Sequence, residues 1–206
     1  MSSSAATVFL VDDEPSVRQS LSHLLRATGL NVATFASAQA FLEGYDSSAP
    51  GCLVLDLAMP DLNGLELQEA LSARGSVLPI IFLSGHGDVQ SGVRAMKRGA
   101  VDFLSKPVDA ADLIKAVRSG IEKDQIARRV GAELTEIRQR LATLTPREYE
   151  VLRHVVSGKL NKQIAADLGT VEKTVKVHRS RVMEKVQAGS LAELVRLAQR
   201  AGIQPL

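Results

Sequence analysis

Through the first half of the chain, short apolar runs alternate with stretches whose apolar residues recur at three- and four-residue spacing. The runs TVFLV, NVATF, CLVLD, PIIFLS and VDFL are bounded by turn-forming residues and read as strands, each followed by a helix-period stretch. Five such units predict an α/β domain: a five-stranded, parallel, doubly wound sheet covered by helices on both faces. In PSVRQSLSHLLRATG, Val17, Leu21, Leu24 and Leu25 form one stripe. Pro15 suits the first turn of that helix, and Gly29 its stop.

The fifth helix is expected to begin near Asp109 and to run on through the stretch that ends at Leu144. There Val130, Leu134, Ile137, Leu141 and Leu144 repeat at spacings of 4, 3, 4 and 3. Two heptads are too few to define a coiled coil, so packing on a domain is an equal reading. Beyond Leu144 every signal is helical. Pro146 opens a helix to about Ser157, and NKQIAADLG, EKTVKVHRSRVMEKV and SLAELVRLAQRAG follow. The organisation expected is a first domain over residues 1–120, a helical linker over 121–141 and an all-α four-helix domain over 142–206.

Composition narrows the partners. Of 206 residues, 45% are apolar, which is ample for a folded core. Aromatic residues make up only 3%, and Trp is absent. Stacking platforms for single strands are therefore scarce, and a nucleic-acid role would fall on duplex grooves. The one cysteine, Cys52, lies in an apolar run, which points to packing and a reducing cytoplasm. The start MSSSAATVFLVDDEP has no basic region before its short apolar run, so no secretory signal and no membrane association are expected. Residues 1–118 hold 9 Lys and Arg against 13 Asp and Glu, and residues 119–206 hold 16 against 10. The two parts thus carry net charges of −4 and +6 and call for different partners.

In an open α/β sheet, ligands collect at the carboxyl ends of the strands. Asp12 and Asp13 close the first strand, Asp56 the third and Ser84 the fourth, and Lys106 follows the fifth. All converge on one rim. Clustered carboxylates repel one another, and a hard divalent cation, Mg²⁺ above all, relieves that repulsion with oxygen ligands. A carboxylate beside such a cation, a hydroxyl and a lysine can accept a phosphoryl group, with Asp56 becoming an acyl phosphate.

The stretches FLVDDEP, LVLDLAMPDLNG, IIFLSGHGD and FLSKP stand in the order and spacing of the receiver domain of two-component response regulators, which the chain resembles over roughly its first 120 positions. The resemblance implies that Asp56 is the phosphoacceptor, and that Asp12, Asp13 and Asp56 hold Mg²⁺ with the backbone carbonyl of Ala58. It makes Ser84 the switch hydroxyl and Lys106 the phosphoryl-binding cation. Phe103 takes the switch-aromatic position, with plain core as the competing role. The Lys106–Pro107 peptide is expected to be cis. Two other classes fit parts of the pattern. A haloacid-dehalogenase-type, Mg²⁺-dependent aspartyl-phosphate phosphatase wants a second acid two residues after its nucleophile, where this chain has Ala58. A phospho-dependent interaction adaptor without DNA output does not account for the basic second part. The chain is therefore read as a non-enzyme.

Residues 142–206 hold 11 Lys and Arg against 6 Asp and Glu, a balance suited to phosphate contacts. In KQIAADLGTVEKTVKVHRSRVMEKV a short helix ends at Gly169, and a longer one turns Val175, Val182 and Val186 inward. Lys173, Lys176, Val177 and Ser180 are left on another face. A mixed cationic and apolar face suits the major groove, where lysine donates to guanine and a methyl meets thymine. LTPREYEVLRHVVSGKLNKQIAADLG through TVKVHRSRVMEKV resembles the LuxR-type helix-turn-helix, with Ala165, Gly169 and Val175 at the motif's spacing. Receiver and helix-turn-helix together make the whole chain FixJ-like. That resemblance places Lys176 and Val177 in the groove and Lys162 on the DNA backbone. It also assigns Leu191, Val195 and Ala198 of the last helix to a dimer seam on DNA, with ordinary core as the alternative and the better reading for Leu194. His178 is read as a packed helix residue rather than a metal ligand. In GTVEKTV the order of Thr170 and Val171 is reversed relative to related sequences, so the recognition helix is expected to start without a side-chain cap, the alternative being a start one residue earlier with Thr170 as the cap. The reading is a phosphorylation-regulated transcription factor that takes phosphoryl from a sensor histidine kinase, dimerises and binds a two-fold site on double-stranded DNA.

Overall fold

The computed structural model describes residues 6–85 and 89–205. The Ser-rich start and the HGD that ends the motif after the fourth strand lie outside them. Strands β1 (Thr7–Val11), β2 (Asn31–Phe35), β3 (Gly51–Asp56), β4 (Ile80–Ser84) and β5 (Asp102–Ser105) coincide with the five apolar runs to within a residue at either end. They form one sheet in the order β2-β1-β3-β4-β5, with every pair parallel. Helices α1 (Pro15–Ala27), α2 (Ala38–Gly44), α3 (Gly64–Ala73) and α4 (Val89–Lys97) connect them. α1 starts on Pro15, as expected, and Gly29 follows its end with φ of 81°.

Alternate residues of a strand point to opposite faces, and the core divides accordingly. Val8, Leu10, Cys52, Val54, Ile81 and Leu83 face one layer, with Leu25 of α1 and Leu113 and Val117 of α5 (Ala110–Ala142). Phe9, Val11, Leu53, Leu55 and Phe82 face the other, with Phe41 of α2 and Leu67 of α3. Cys52 is fully buried, its Sγ 3.7 Å from the carbonyl oxygen of Val117. Burial pushes its thiol up to about 12, so it packs and does not react. A Cβ on Gly120 would stand 3.0 Å from Cys52 Cβ, so glycine allows α5 to approach the sheet.

The chain separates into two compact units, divided between Arg128 and Arg129 inside the 33-residue α5. The stretch 121–141, expected as a linker, therefore falls partly to each. In the first unit Asp124, wholly buried, accepts from the Gly51 N–H at 2.9 Å and from Arg128 Nε at 2.8 Å. Arg128 also donates to the carbonyls of Ser48 and Ala49. In the second unit Ile137 and Leu141 enter the core, whereas Val130, at the head of the heptad stripe, is exposed. Packing on a domain, and not a coiled coil, accounts for the buried part of that stripe.

The second unit adds α6 (Pro146–Val156), α7 (Asn161–Asp167), α8 (Glu172–Val186) and α9 (Leu191–Arg200) around a core of Val151, Leu152, Ile164, Val175, Val182 and Leu194. Thr145 and Glu148 cap α6 reciprocally. The buried Glu148 also accepts from Lys185 Nζ at 2.6 Å, which ties the start of α6 to the end of α8. No helix among the described residues is long and apolar enough to cross a membrane.

Candidate functional site: an acidic strand rim and a basic helical face

The strand order reverses direction between β1 and β3, and a crevice forms at such a switch point. Asp12 and Asp13 follow β1 and Asp56 ends β3, so the parallel register brings the three carboxylates together. Their oxygens lie within 4.8 Å of one another. Asp12 and Asp56 are buried and Asp13 is exposed, so the cluster opens to solvent on one side. Lys106 follows β5, and its Nζ lies 2.7 Å from Asp12 Oδ2 and 3.1 Å from Asp56 Oδ1.

Burial raises the Asp56 carboxyl above its ordinary value. Lys106 and the Ala58 N–H act against that shift, and Asp12 adds to it. For Lys106, burial favours the neutral amine, but the bonds to Asp12 and Asp56 outweigh it and hold the ammonium above its ordinary value. One cation thus serves two buried acids and leaves the third uncompensated. Three oxygen donors with a residual negative charge suit a hard divalent cation.

Ser84 is buried at the end of β4, and its hydroxyl donates to the carbonyl of Gly85 at 3.1 Å. The carbonyl of Ser84 accepts from the Lys106 N–H at 2.7 Å, which joins β4 to the lysine-bearing loop. Phe103 is half-buried, its ring centroid 6.4 Å from that of Phe82. A Cβ on Gly92 of α4 would stand 3.3 Å from the Phe103 ring. The loop after Asp56 closes through Gly64, whose Cβ would stand 2.6 Å from the Asp56 carbonyl oxygen. Only glycine fits there, and Asn63 then caps α3 with Glu66 in a reciprocal box. The Lys106–Pro107 peptide is cis.

Two neighbours of the rim were not read from the sequence. Arg18 donates to the Asp12 carbonyl at 2.6 Å, and the Glu14 N–H donates to Asp12 Oδ1 at 2.9 Å. Arg18 stands on the polar side of α1, where spacing carries no signal. Glu14 lies in the DDEP stretch, but it acts through its backbone N–H, which no side-chain pattern marks.

In the second unit α7 ends at a turn through Gly169, whose φ is 60°, and the Thr170 N–H reaches back to the Ala165 carbonyl at 2.9 Å. α8 begins at Glu172 with Val171 at its cap, and no side-chain bond is made there. Val175, Val182 and Val186 are buried. Lys162, Lys173, Lys176, Val177 and Ser180 are all exposed, the last four along one side of α8. Arg179 Nη1 donates to Asn161 Oδ1 at 2.5 Å and so clamps α8 to the start of α7. On α9, Leu191 is exposed and Val195 half-buried, but Ala198 and Leu194 are buried in the unit's own core. Ala198 is therefore corrected from seam to core: its helical register points it at the same interior as Leu194, four residues earlier. His178 is half-buried and offers no ligand set, since the acidic trio is the one such group found among the described residues.

A doubly wound sheet with an acid–lysine rim, followed by a helix-turn-helix, defines a class that comparison with known proteins bears out. The model of the response regulator receiver domain matches residues 8–118, and that of the luxR family of bacterial regulatory proteins matches residues 142–198. Nodulation protein W of Bradyrhizobium diazoefficiens is 44% identical over 98% of this chain and 88% of its own length. The transcriptional regulatory protein FixJ of Azorhizobium caulinodans is 46% identical over 96% of this chain and 94% of its own. The structure of the response regulator StyR superposes with a TM-score of 0.85 at 44% identity, covering 95% of this chain and 99% of that one. The chain belongs to the response regulators that join a receiver to a LuxR-type DNA-binding domain. It is a phosphorylation-regulated transcription factor.

Proposed function

We propose that Asp56 is the phosphoacceptor and that a sensor histidine kinase supplies the phosphoryl group. The observation that carries this reading is the shared lysine: Lys106 bridges Asp12 and Asp56 in a crevice that holds three carboxylates. An Asp56 oxygen attacks phosphorus, the N–P bond of the phosphoimidazole breaks, and the leaving imidazole takes its proton from water. Lys106, freed from its bond to Asp56, turns its charge to the phosphoryl oxygens. The carboxylates of Asp12, Asp13 and Asp56 with the carbonyl of Ala58 would hold Mg²⁺ or another small divalent cation, which when bound offsets charge on the phosphoryl group. Ser84 then donates to a phosphoryl oxygen, and Phe103 follows into the space it vacates. The chain accepts one group and does not turn over an external substrate. Intact-mass analysis after treatment with a small acyl phosphate and Mg²⁺ should show one phosphate on the native chain and none on Asp56→Asn. Label retained by the variant overturns the assignment.

Residues 1–120 act in this reading as the receiver and 142–206 as the DNA-binding domain, joined through 121–141. Phosphorylation shifts a pre-existing equilibrium toward a dimer, through Ser84 and Phe103 acting on α4 and β5. The dimer binds a two-fold site. Lys176 and Val177 read base edges, Lys173 and Ser180 flank them, and Lys162 touches backbone phosphate. Leu191 and Val195 remain for the seam on DNA. A DNA partner supports a cytoplasmic setting for the protein. Sedimentation with and without acyl phosphate tests the switch. An unchanged monomer fraction, at concentrations where DNA binding differs, rules dimerisation out.

A further inference from the structure

Asp12 stands just past the end of β1, and each of its polar groups is held. Its N–H donates to the Phe35 carbonyl of β2 at 3.3 Å, its Oδ1 accepts from the Glu14 N–H at 2.9 Å and its Oδ2 from Lys106 Nζ at 2.7 Å. Its carbonyl lies beyond the paired residues of the sheet and accepts from Arg18 Nη1 at 2.6 Å. That carbonyl belongs to the planar peptide that joins Asp12 to Asp13, so its orientation sets how both acidic side chains leave the backbone. The dependence is greatest for Asp13, which is exposed and whose carboxylate has no bond among the described residues.

Arg18 is half-buried on α1, and no carboxylate among the described residues pairs with it. A charged donor makes a shorter and stronger bond than a neutral one. Bound to a carbonyl, the guanidinium also takes up no carboxylate oxygen of the rim. An ionised carboxylate oxygen accepts more than one bond, so Asp12 keeps lone pairs for a cation while Glu14 and Lys106 hold it.

We infer that Arg18 is a positioning residue for phosphoryl acceptance: by fixing the Asp12–Asp13 peptide it holds both acids in the arrangement that binds the divalent cation. The inference rests on the reading of the rim as a metal and phosphoryl site. Charge and position act with opposite signs here. A guanidinium near a cation site repels the cation, so removing its charge would by itself tighten Mg²⁺. Losing the anchor weakens it, since the groups that orient metal ligands are worth about 10–100-fold in affinity. The sign of the change therefore separates the two roles.

The test titrates Mg²⁺ into the isotope-labelled full-length chain, followed by backbone amide shifts in NMR, and measures phosphorylation by a small acyl phosphate against Mg²⁺ concentration by intact mass. Arg18→Met should weaken Mg²⁺ by about tenfold or more in both measurements. Its rate at saturating Mg²⁺ should stay within about twofold of native, because the loss is in binding and not in the step that follows. Arg18→Lys keeps a charged donor of similar reach and should recover most of the affinity. Arg18→Gln is too short to reach the carbonyl, should repeat the loss, and replaces the Met variant if that one does not fold. Arg26 lies on the same helix, and its Nη2 donates to the Val32 carbonyl at 2.9 Å. Arg26→Met thus removes the same charge and the same kind of bond away from the rim, and should bind Mg²⁺ as the native chain does. Native or tighter Mg²⁺ binding by Arg18→Met overturns the inference, as does an equal loss in Arg26→Met. A lower melting midpoint in chelator with unchanged Mg²⁺ binding reduces Arg18 to a structural role and overturns it as well. A native chain that binds no Mg²⁺ overturns the reading of the rim, and this inference with it.

Discussion

Lys106 Nζ donates to Asp12 Oδ2 at 2.7 Å although 94 residues separate the two in the chain. The same ammonium reaches Asp56 Oδ1 at 3.1 Å. Removing it leaves two buried carboxylates facing each other, and breaking a buried charged bond costs about 1–3 kcal/mol. Lys106→Met should therefore lower the first unit's melting midpoint in chelator. Added Mg²⁺ should then raise that midpoint by more than it does in the native chain, since ligand binding to the folded state adds stability. Thermal melts with and without the cation read both effects; equal Mg²⁺ increments would show that the lysine does not compensate the acids.

Gly64 presses on the backbone of the strand that carries Asp56, with 2.6 Å left for a Cβ against a carbonyl oxygen that cannot swing away. Gly64→Ala should destabilise the first unit by about 1–3 kcal/mol or more, as overpacking does. It should also slow phosphoryl acceptance, because the strain falls on the peptide next to the acceptor. Chemical denaturation and a mass-detected phosphorylation time course measure the two.

The buried Glu148 carboxyl is pulled down to about 2, first by its bond to Lys185 and then by the Thr145 N–H. A carboxylate whose folded value is depressed contributes stability above its ordinary value of 4.5, and that stability is lost as pH falls toward 2. Glu148→Gln should lower the second unit's stability by about 1–3 kcal/mol at pH 7. The difference from the native chain should shrink through the window from pH 4.5 to pH 2. Denaturation curves across that window test the sign.

Val171 caps α8 with nothing, and its side chain is 63% exposed, so no packing is lost on replacing it. Val171→Ser supplies an acceptor for the free amides of the first turn. The gain should be about 1 kcal/mol, a rise of roughly 4–8 °C in the midpoint of a unit this size. An unchanged midpoint would mean that water or the chain already satisfies those amides.

Lys176 and Lys162 are both exposed, but Lys176 stands in the middle of the outward side of α8 and Lys162 at the start of α7. Lys176→Ala should cost about 1–3 kcal/mol at one base position. Lys162→Ala should weaken all sequences alike and reduce the salt slope by about one. Binding titrations on base-substituted sites at several salt concentrations separate the two roles.

Strand and helix positions were legible because they rest on local periodicity: alternation marks Val8 and Leu10 against Phe9 and Val11, and the stripe of Val17, Leu21, Leu24 and Leu25 marks α1. The rim was legible for a related reason. In a parallel sheet every strand's carboxyl end comes to the same edge, so residues that close strands are brought together by topology alone. The missing cap at Val171 was legible too, since capping depends on one side chain and its own helix.

Contacts across the fold were not legible. The sequence by itself determined that acids, a hydroxyl and a lysine would share an edge, and that a basic helix would follow. Only the tertiary structure decided that Lys106 spans Asp12 and Asp56, that α5 divides between two units at Arg128 and that Ala198 turns into the core. The reason is physical. Periodicity tells which side of an element is apolar, but the partner of a polar atom depends on distances between elements far apart in the chain. Those distances exist only once the chain has packed.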